Sequence, residues 1–195
     1  MTDENNARKT LQVIVASTRP GRIGRRIGDW VAEAAQREGR FDVELIDLKE
    51  VNLPFFDEPN HPMLGRYEHQ HTRDWAATIS RGDAFIFVMP EYNHGFIAPL
   101  KNALDFLHQE WQHKPVGFAT YGGVSAGTRA AQMLKPVVQA LRMTPVVEAI
   151  TIPFPAPFFA EDGTFTPNEL IDQSLSALVN ELHAQATILE ARRHP

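Results

Sequence analysis

The sequence predicts an α/β protein built on a doubly wound, five-stranded parallel sheet. Short apolar runs rich in Val and Ile alternate with amphipathic helical patterns along the chain. Those runs lack the in–out alternation of a half-exposed strand, as strands covered on both faces do. The β-α unit recurs five times, an order that implies a parallel sheet with helices on both sides.

The first strand is Leu11–Ala16, and Ser17-Thr18-Arg19-Pro20-Gly21 breaks it. A helix follows with Ile23, Ile27, Trp30, Val31 and Ala34 on one face, and Gly39 ends it. Val43–Leu48 is the second strand. From Asn52 to Tyr67 there is no periodicity, and Pro54, Pro59 and Pro62 interrupt the chain. This is a long surface loop, of a kind more often functional than accidental. Thr72–Arg81 is helical, with Trp75, Ala76 and Ile79 inward. The third strand, Ala84–Met89, is unbroken apolar sequence; a polar loop, Pro90-Glu91-Tyr92-Asn93-His94-Gly95, and a helix over Pro99–Leu107 follow it. Pro115–Thr120 is the fourth strand, Tyr121–Gly127 a glycine-rich turn, Ala130–Leu141 a helix and Pro145–Ile152 the fifth strand. Pro153–Pro157 is extended. Thr166-Pro167-Asn168-Glu169 opens the last helix, with Pro167 in its first turn and Ile171, Leu175, Leu178, Leu182 and Leu189 as its inward stripe.

Composition narrows the function classes. At 195 residues the chain suits one domain, 1–195, whose polar residues 1–9 read as a flexible N-terminus. With 43% hydrophobic and 22% charged residues it has the balance of an ordinary soluble globular protein. No apolar run is long enough to span a bilayer, and Met1–Lys9 has no signal-peptide core. An amphipathic helix, not an apolar one, follows Arg25-Arg26, which argues against twin-arginine export. With no cysteine there is no disulfide framework or thiol chemistry, and a cytoplasmic location is expected. The net charge is −5 with charges interspersed, so no nucleic-acid footprint is visible and none is expected. The one basic cluster, Arg19, Arg22, Arg25 and Arg26, is sized for a single phosphate.

Three loops follow a strand and precede a helix, and ligands of open α/β sheets bind at that edge. Ser17–Gly24 offers a hydroxyl, Arg19, Arg22 and a helix N-terminus, which suits a phosphate. A plain turn with solvated arginines is the alternative. The loop is neither a Walker A loop nor the Gly-x-Gly-x-x-Gly fingerprint. Pro90–Gly95 offers the Tyr92 ring and the Asn93 amide to a flat, polar-edged ligand such as a flavin ring, or is a turn using Asn and Gly for left-handed geometry. In Tyr121–Ser125 the paired Gly122 and Gly123 let backbone N–H groups approach a ligand edge, or simply make a tight turn.

These segments resemble the NAD(P)H-dependent FMN reductases of the flavodoxin-like superfamily. The likeness rests on Ser17-Thr18-Arg19-Pro20-Gly21-Arg22, on Pro90-Glu91-Tyr92-Asn93-His94-Gly95 with Leu100-Lys101-Asn102-Ala103-Leu104-Asp105, and on Lys114-Pro115-Val116-Gly117-Phe118 leading to Tyr121-Gly122-Gly123. It runs over roughly the first three-quarters of the chain. The resemblance implies a flavodoxin-like sheet in the order 2-1-3-4-5. It implies an FMN phosphate on the first loop, held by Ser17 and Arg19, and an isoalloxazine ring touching Pro90, Glu91, Tyr92, Asn93, Gly122 and Gly123. Tyr121 is counted with that group. Relatives place Ser or Thr where this chain has Ile23 or Gly24, so backbone amides there, helped by Arg22, would take over the phosphate contact. Thr120 and Ala126 stand where Ser and Gly are usual.

Other constellations are weaker. His61, His69 and His71 lie near the long loop, but no cysteine supports a metal site and none is expected. His94 could border the flavin or nicotinamide, though a solvated loop histidine is the simpler reading. Ser125 lacks a Gly-x-Ser-x-Gly elbow, and Asp105 with Lys101 is a helix-face pair. Phe106, Leu107 and Trp111 suit either a subunit contact or cover for the sheet of the same chain. The resemblance implies a homodimer or a dimer of dimers, with the Pro54–Tyr67 segment near the neighbouring pocket. The expected function is hydride transfer from NADPH or NADH to bound FMN and on to a flavin, quinone, azo or oxyanion acceptor. No side chain is expected to be an obligate acid or base. The alternatives are a flavodoxin-type electron carrier or a flavin-binding regulatory protein without turnover.

Overall fold

In a computed structural model, which describes residues 8–193, five parallel strands form one sheet in the order β2-β1-β3-β4-β5. The strands are β1 (Thr10–Val15), β2 (Asp42–Asp47), β3 (Ala84–Pro90), β4 (Pro115–Gly122) and β5 (Thr144–Pro153). The helices are α1 (Gly24–Arg37), α2 (Leu48–Val51), α3 (Gln70–Ser80), α4 (Ala98–Asp105), α5 (Thr128–Ala140) and α6 (Glu169–Arg193). The architecture and strand order are those expected of a flavodoxin-like fold.

Strand periodicity of two creates two cores. Leu11 and Val13 of β1, with Ala84, Ile86 and Val88 of β3, pack against Ile27 and Val31 of α1 and Leu175, Leu178 and Leu182 of α6. Their sequence neighbours Ile14, Phe85, Phe87 and Met89 face the other side, against Trp75 of α3, Leu104 of α4 and Leu134 of α5. Both faces of the central strands are therefore sealed, which is why their sequences are continuous apolar runs. Trp111 lies in the second core against Phe85, with ring centroids 5.1 Å apart, and its indole N–H donates to Leu104 O at 3.2 Å. Phe106, Leu107 and Trp111 thus cover the sheet of their own chain and offer no subunit contact.

Several boundaries differ from the sequence reading for local reasons. β2 stops at Asp47, one residue short of Leu48, because the Asp47 side chain accepts from Lys49 N at 3.0 Å and starts the short helix α2, which the sequence pattern did not suggest. β4 runs on to Gly122, so Tyr121 and Gly122 belong to the sheet and not to the turn; they pair with Ile152 and Pro153 of β5. Pro167 lies outside α6, because Asn168 caps that helix by accepting from Ile171 N at 3.0 Å. The segment after β5 is not extended: Phe154 is left-handed and Ala156–Phe158 forms a 3-10 turn. Of the stretch 1–9, residues 1–7 lie outside the described residues. Lys9 is tied down, its Nζ 2.6 Å from Glu190 Oε2 and its carbonyl accepting from Asp42 N.

The long loop is clasped rather than free. Asn102 of α4 donates to Pro54 O at 2.7 Å and accepts from Phe56 N at 2.9 Å. Glu58 is buried and accepts from Glu68 N and His69 N, satisfying amides at the start of α3.

The approach of α1 to the sheet depends on Gly28. A Cβ there would lie 2.3 Å from Val15 Cγ2, and a β-branched valine cannot swing aside. We expect Gly28→Val to destabilise the protein by about 1–3 kcal/mol through overpacking, outweighing the smaller gain in helix propensity. Urea unfolding measures this; an unchanged midpoint would mean that α1 does not need the close approach.

Candidate functional site

β1, β3 and β4 are neighbours in the sheet, so the loops at their carboxyl ends meet at one edge. The first, Ser17–Gly24, turns sharply, with Arg22 N donating to Arg19 O at 3.2 Å and Gly21 at φ 71°. Ser17 is 1% exposed, and its Oγ accepts from the Tyr121 hydroxyl at 3.3 Å. A Cβ on Gly24 would lie 2.4 Å from the Tyr121 hydroxyl and 2.5 Å from Ser17 Oγ, so a larger residue there would have to push this pair aside. Ile23 is the N-cap and makes no side-chain cap bond, and the first-turn N–H groups from Gly24 to Arg26 have no acceptor among the described residues. Those free donors are what an anion at a helix N-terminus requires.

The arginines of the first loop divide into two kinds. Arg22 turns inward: its guanidinium donates to both carboxylate oxygens of Asp47, at 2.5 and 2.6 Å, and to Ser17 O at 2.6 Å. Asp47, at the end of β2, has a side chain only 1% exposed and is also reached by Arg25 at 3.2 Å. Burial opposes its ionisation, but hydrogen bonds from Arg22, Lys49 N and Arg25 prevail and hold its carboxyl below the ordinary range. Arg19, by contrast, is exposed and makes no ion pair among the described residues. Arg22 is thus a brace of the loop, and Arg19 is its free cation.

The second loop is a two-residue hairpin. Tyr92 and Gly95 exchange backbone hydrogen bonds at 3.0 and 2.9 Å, and Asn93 and His94 have φ of 50° and 67°. Positive φ at both central residues marks a type I′ turn. The left-handed pair is therefore Asn93 and His94, not Asn93 and Gly95. Tyr92 is 42% exposed. The Asn93 and His94 side chains are exposed without hydrogen-bond partners among the described residues. Pro90 is a buried strand residue opposite Tyr121.

Glu91 ties this loop to the third. Its carboxylate accepts from Arg129 Nη1 at 2.9 Å and from Arg129 N, in the first turn of α5, at 3.2 Å. Burial opposes its ionisation, yet the Ser125 hydroxyl and Arg129 hold its carboxyl below the ordinary range. Burial pushes the Tyr121 hydroxyl up to about 12, so at neutral pH it stays a donor toward Ser17. Beyond it, Gly123 is open: a Cβ there would meet only Phe154 Cε1, at 4.0 Å. The N–H groups of Gly123 and Val124 have no partner among the described residues. Thr120 donates to Ala126 O at 2.8 Å, and Ala126 itself is left-handed at φ 50°, so both substituted positions serve the turn.

The first two loops and the third thus bring Ser17, Arg19, Ile23, Gly24, Tyr92, Asn93, Tyr121, Gly122 and Gly123 to one edge, while Arg22 and Glu91 act through their ion pairs. Sequence reasoning missed Asp47, Asn102 and Arg129, because each acts across a long sequence separation. The acidic end of β2 beside an arginine-rich loop was the available signal for Asp47. Among the described residues no group of three His, Asp or Glu side chains is arranged to hold a metal. His69 stacks on His71, which pairs with Asp57 at 2.9 Å, and His61 caps the turn at Pro62–Leu64.

This edge has the donors that FMN needs: uncapped amides and a free guanidinium for a phosphate, an exposed ring, and open glycine backbone for a polar heterocycle edge. Known proteins resemble this chain in sequence and in fold. The family profile described as NADPH-dependent FMN reductase matches residues 10–155. An NAD(P)H-dependent FMN reductase of Schizosaccharomyces pombe is 43% identical over 147 residues, covering 73% of each chain. An NAD(P)H:quinone oxidoreductase of Solanum tuberosum is 30% identical over 123 residues, 58% of this chain and 61% of that one. In fold, the chain is similar to the flavoenzyme FerB, an NAD(P)H:(acceptor) oxidoreductase of Paracoccus denitrificans. The TM-score is 0.72 at 22% identity, covering 92% of this chain and 98% of that one.

Removing the Asp47 charge leaves Arg22 without its buried partner. We expect Asp47→Asn to cost about 2–4 kcal/mol at pH 7, below the full penalty of a sealed pair because Arg25 reaches solvent. The folded carboxyl titrates below its ordinary value of 3.8. Its stabilisation is therefore complete above that value and is lost as pH falls through the lower folded one. Urea unfolding of both proteins from pH 7 to pH 3 measures the difference, which should narrow only at the acid end. A difference independent of pH would contradict the ion pair.

Proposed function

The chain belongs to the NADPH-dependent FMN reductase family, and we propose that it holds one FMN across the ends of β1, β3 and β4. It is an NAD(P)H-dependent flavin oxidoreductase. Bound there, FMN would supply the redox chemistry that links NADPH or NADH to a second substrate in a ping-pong cycle. A flavin, quinone, azo compound or oxyanion is the acceptor we propose. The observation that carries the placement is the convergence of unpartnered donors from three loops on one edge.

Each residue then has a part. The α1 amides and Arg19 grip the phosphate. Ser17 accepts from Tyr121, which leaves its own hydroxyl hydrogen to donate to a phosphate oxygen. Arg22, anchored on Asp47, keeps the loop in shape. Tyr92 and Asn93 would wall the ring, and the open backbone at Gly122 and Gly123 would offer N–H groups to its polar edge. Glu91 holds the second and third loops in register through Arg129. No side chain serves as an obligate acid or base. A flavodoxin-type carrier is disfavoured by the free arginine at the phosphate loop.

We propose that one domain carries this site and that it works in the cytoplasm. No described helix is long and apolar enough to cross a membrane. We also propose a homodimer formed over the long loop, where Phe55, Met63 and Leu64 are exposed. Sedimentation equilibrium tests this; a monomer at tens of micromolar would count against it.

For the flavin site, titration of FMN against the protein is the test. Arg19→Ala should raise the FMN Kd about 10- to 100-fold, the worth of a charge-assisted hydrogen bond, with no change in the urea midpoint. Unchanged affinity would remove Arg19 from the phosphate site.

A further inference from the structure

Between the start of α1 and the segment after β5 lies a cleft of about 490 Å³. Ile23, Phe154, Pro157 and Phe159 wall it, Gly122 lines its inner end, and Arg26 stands beside it. Two of these residues stand out: Phe154 for its backbone and Arg26 for its lack of a partner among the described residues.

Phe154 is left-handed at φ 45°, a conformation strained for a bulky side chain. Its N–H donates to Gly122 O at 2.8 Å, which prolongs the β4–β5 ladder by one bond and fixes the residue beside the third loop. The ring reaches toward Gly123, yet it is 61% exposed. Phe158 and Phe159, a few residues on, behave differently: both pack against the core and against the ring of Phe165. Strain that presents an aromatic ring to solvent is a mark of a ligand contact.

Arg26 makes no hydrogen bond or ion pair to any described residue. Its guanidinium lies against Gly163, where a Cβ would be 2.5 Å from Nη1. Asp162 feels its charge but accepts from Thr164 N at 2.8 Å and forms no ion pair with it. Arg22 and Arg25, one turn or less away, are both paired with Asp47. Arg26 is thus an uncommitted cation at the mouth of an apolar cleft.

We infer that this cleft is a second subsite, which takes a flat aromatic group bearing an anionic substituent. The aromatic group packs on Phe154 and the anion pairs with Arg26. For its role in the reaction the inference rests on the flavin placement, because Ile23 and Gly122 border both sites. Two reactants carry this chemistry: the adenosine 2′-phosphate end of NADPH and an anionic aromatic electron acceptor. Phe154 and Arg26 would then set the preference of the enzyme among its substrates.

The test is calorimetric binding to the FMN-loaded protein with redox-inert probes. These are adenosine 2′-monophosphate against adenosine, and 2-naphthalenesulfonate against 2-naphthol. At least one anionic probe should bind ten or more times tighter than its neutral counterpart. Arg26→Gln should erase that preference. Phe154→Gly, which relieves the backbone strain while removing the ring, should weaken both members of the pair alike. FMN affinity should stay within about twofold in both variants. Preference for the nucleotide alone identifies the NADPH end; preference for the sulfonate alone identifies the acceptor; preference for both assigns the cleft to each in turn. Failure of both anionic probes to bind, or a preference that survives Arg26→Gln, overturns the subsite. The same titrations run without FMN separate the two claims. If the probes bind but FMN does not, the flavin placement falls and the subsite stands.

Discussion

The functional edge depends on one carboxylate. Asp47 ends β2, caps α2 and receives the guanidinium of Arg22 in a two-pronged contact while Arg25 approaches from the side. Arg22 in turn donates to Ser17 O, so the shape of the first loop passes through this pair. Withdrawing Asp47 from water costs free energy that its partners offset only because the geometry is bidentate and the remaining lone pairs are used. A buried ion pair of this kind adds little net stability compared with packed hydrocarbon; what it adds is one conformation. That conformation leaves the α1 amides facing outward and Arg19 free.

The rest of the edge is held by the same logic on a larger scale. The sheet seals both faces of β1, β3 and β4, which leaves their carboxyl ends as the place where polar backbone emerges together. Glu91 and Arg129 then couple the second loop to the first turn of α5, and Tyr121 couples β4 to the first loop through Ser17. The braces are paired and mostly buried, whereas the residues left exposed, Arg19, Tyr92, Asn93 and Gly123, are those proposed to meet the ligand. Preorganised donors of this kind need no rearrangement as charge develops.

Much of this was legible in the sequence. The apolar runs gave the strands, because a strand covered on both sides must be apolar throughout. The glycines and turn residues after β1, β3 and β4 gave the loops. Several features were not legible, for physical reasons. Arg22 and Arg19 are the same residue type in the same loop, and only the position of Asp47, brought alongside by β1–β2 pairing, separates brace from ligand. Tyr121 looked like a turn residue because the glycines behind it masked two more rungs of the β4–β5 ladder. Phe106 and Trp111, at and beyond the end of a helical pattern, suited a partner or the same chain's sheet equally well by sequence, and both fill the second core. Phe154 was hidden in a proline-rich run whose composition suggested an extended chain.

Everything at this edge is proposed to serve one event, the reduction by NADPH of FMN bound there. The most direct measurement is the visible spectrum of the FMN-loaded protein, recorded without oxygen as NADPH is added. The flavin absorbance should bleach with one equivalent of NADPH per bound FMN and return when an acceptor is supplied. Bound FMN that neither NADPH nor NADH bleaches would contradict it, and would make the three-loop edge a flavin holder without turnover.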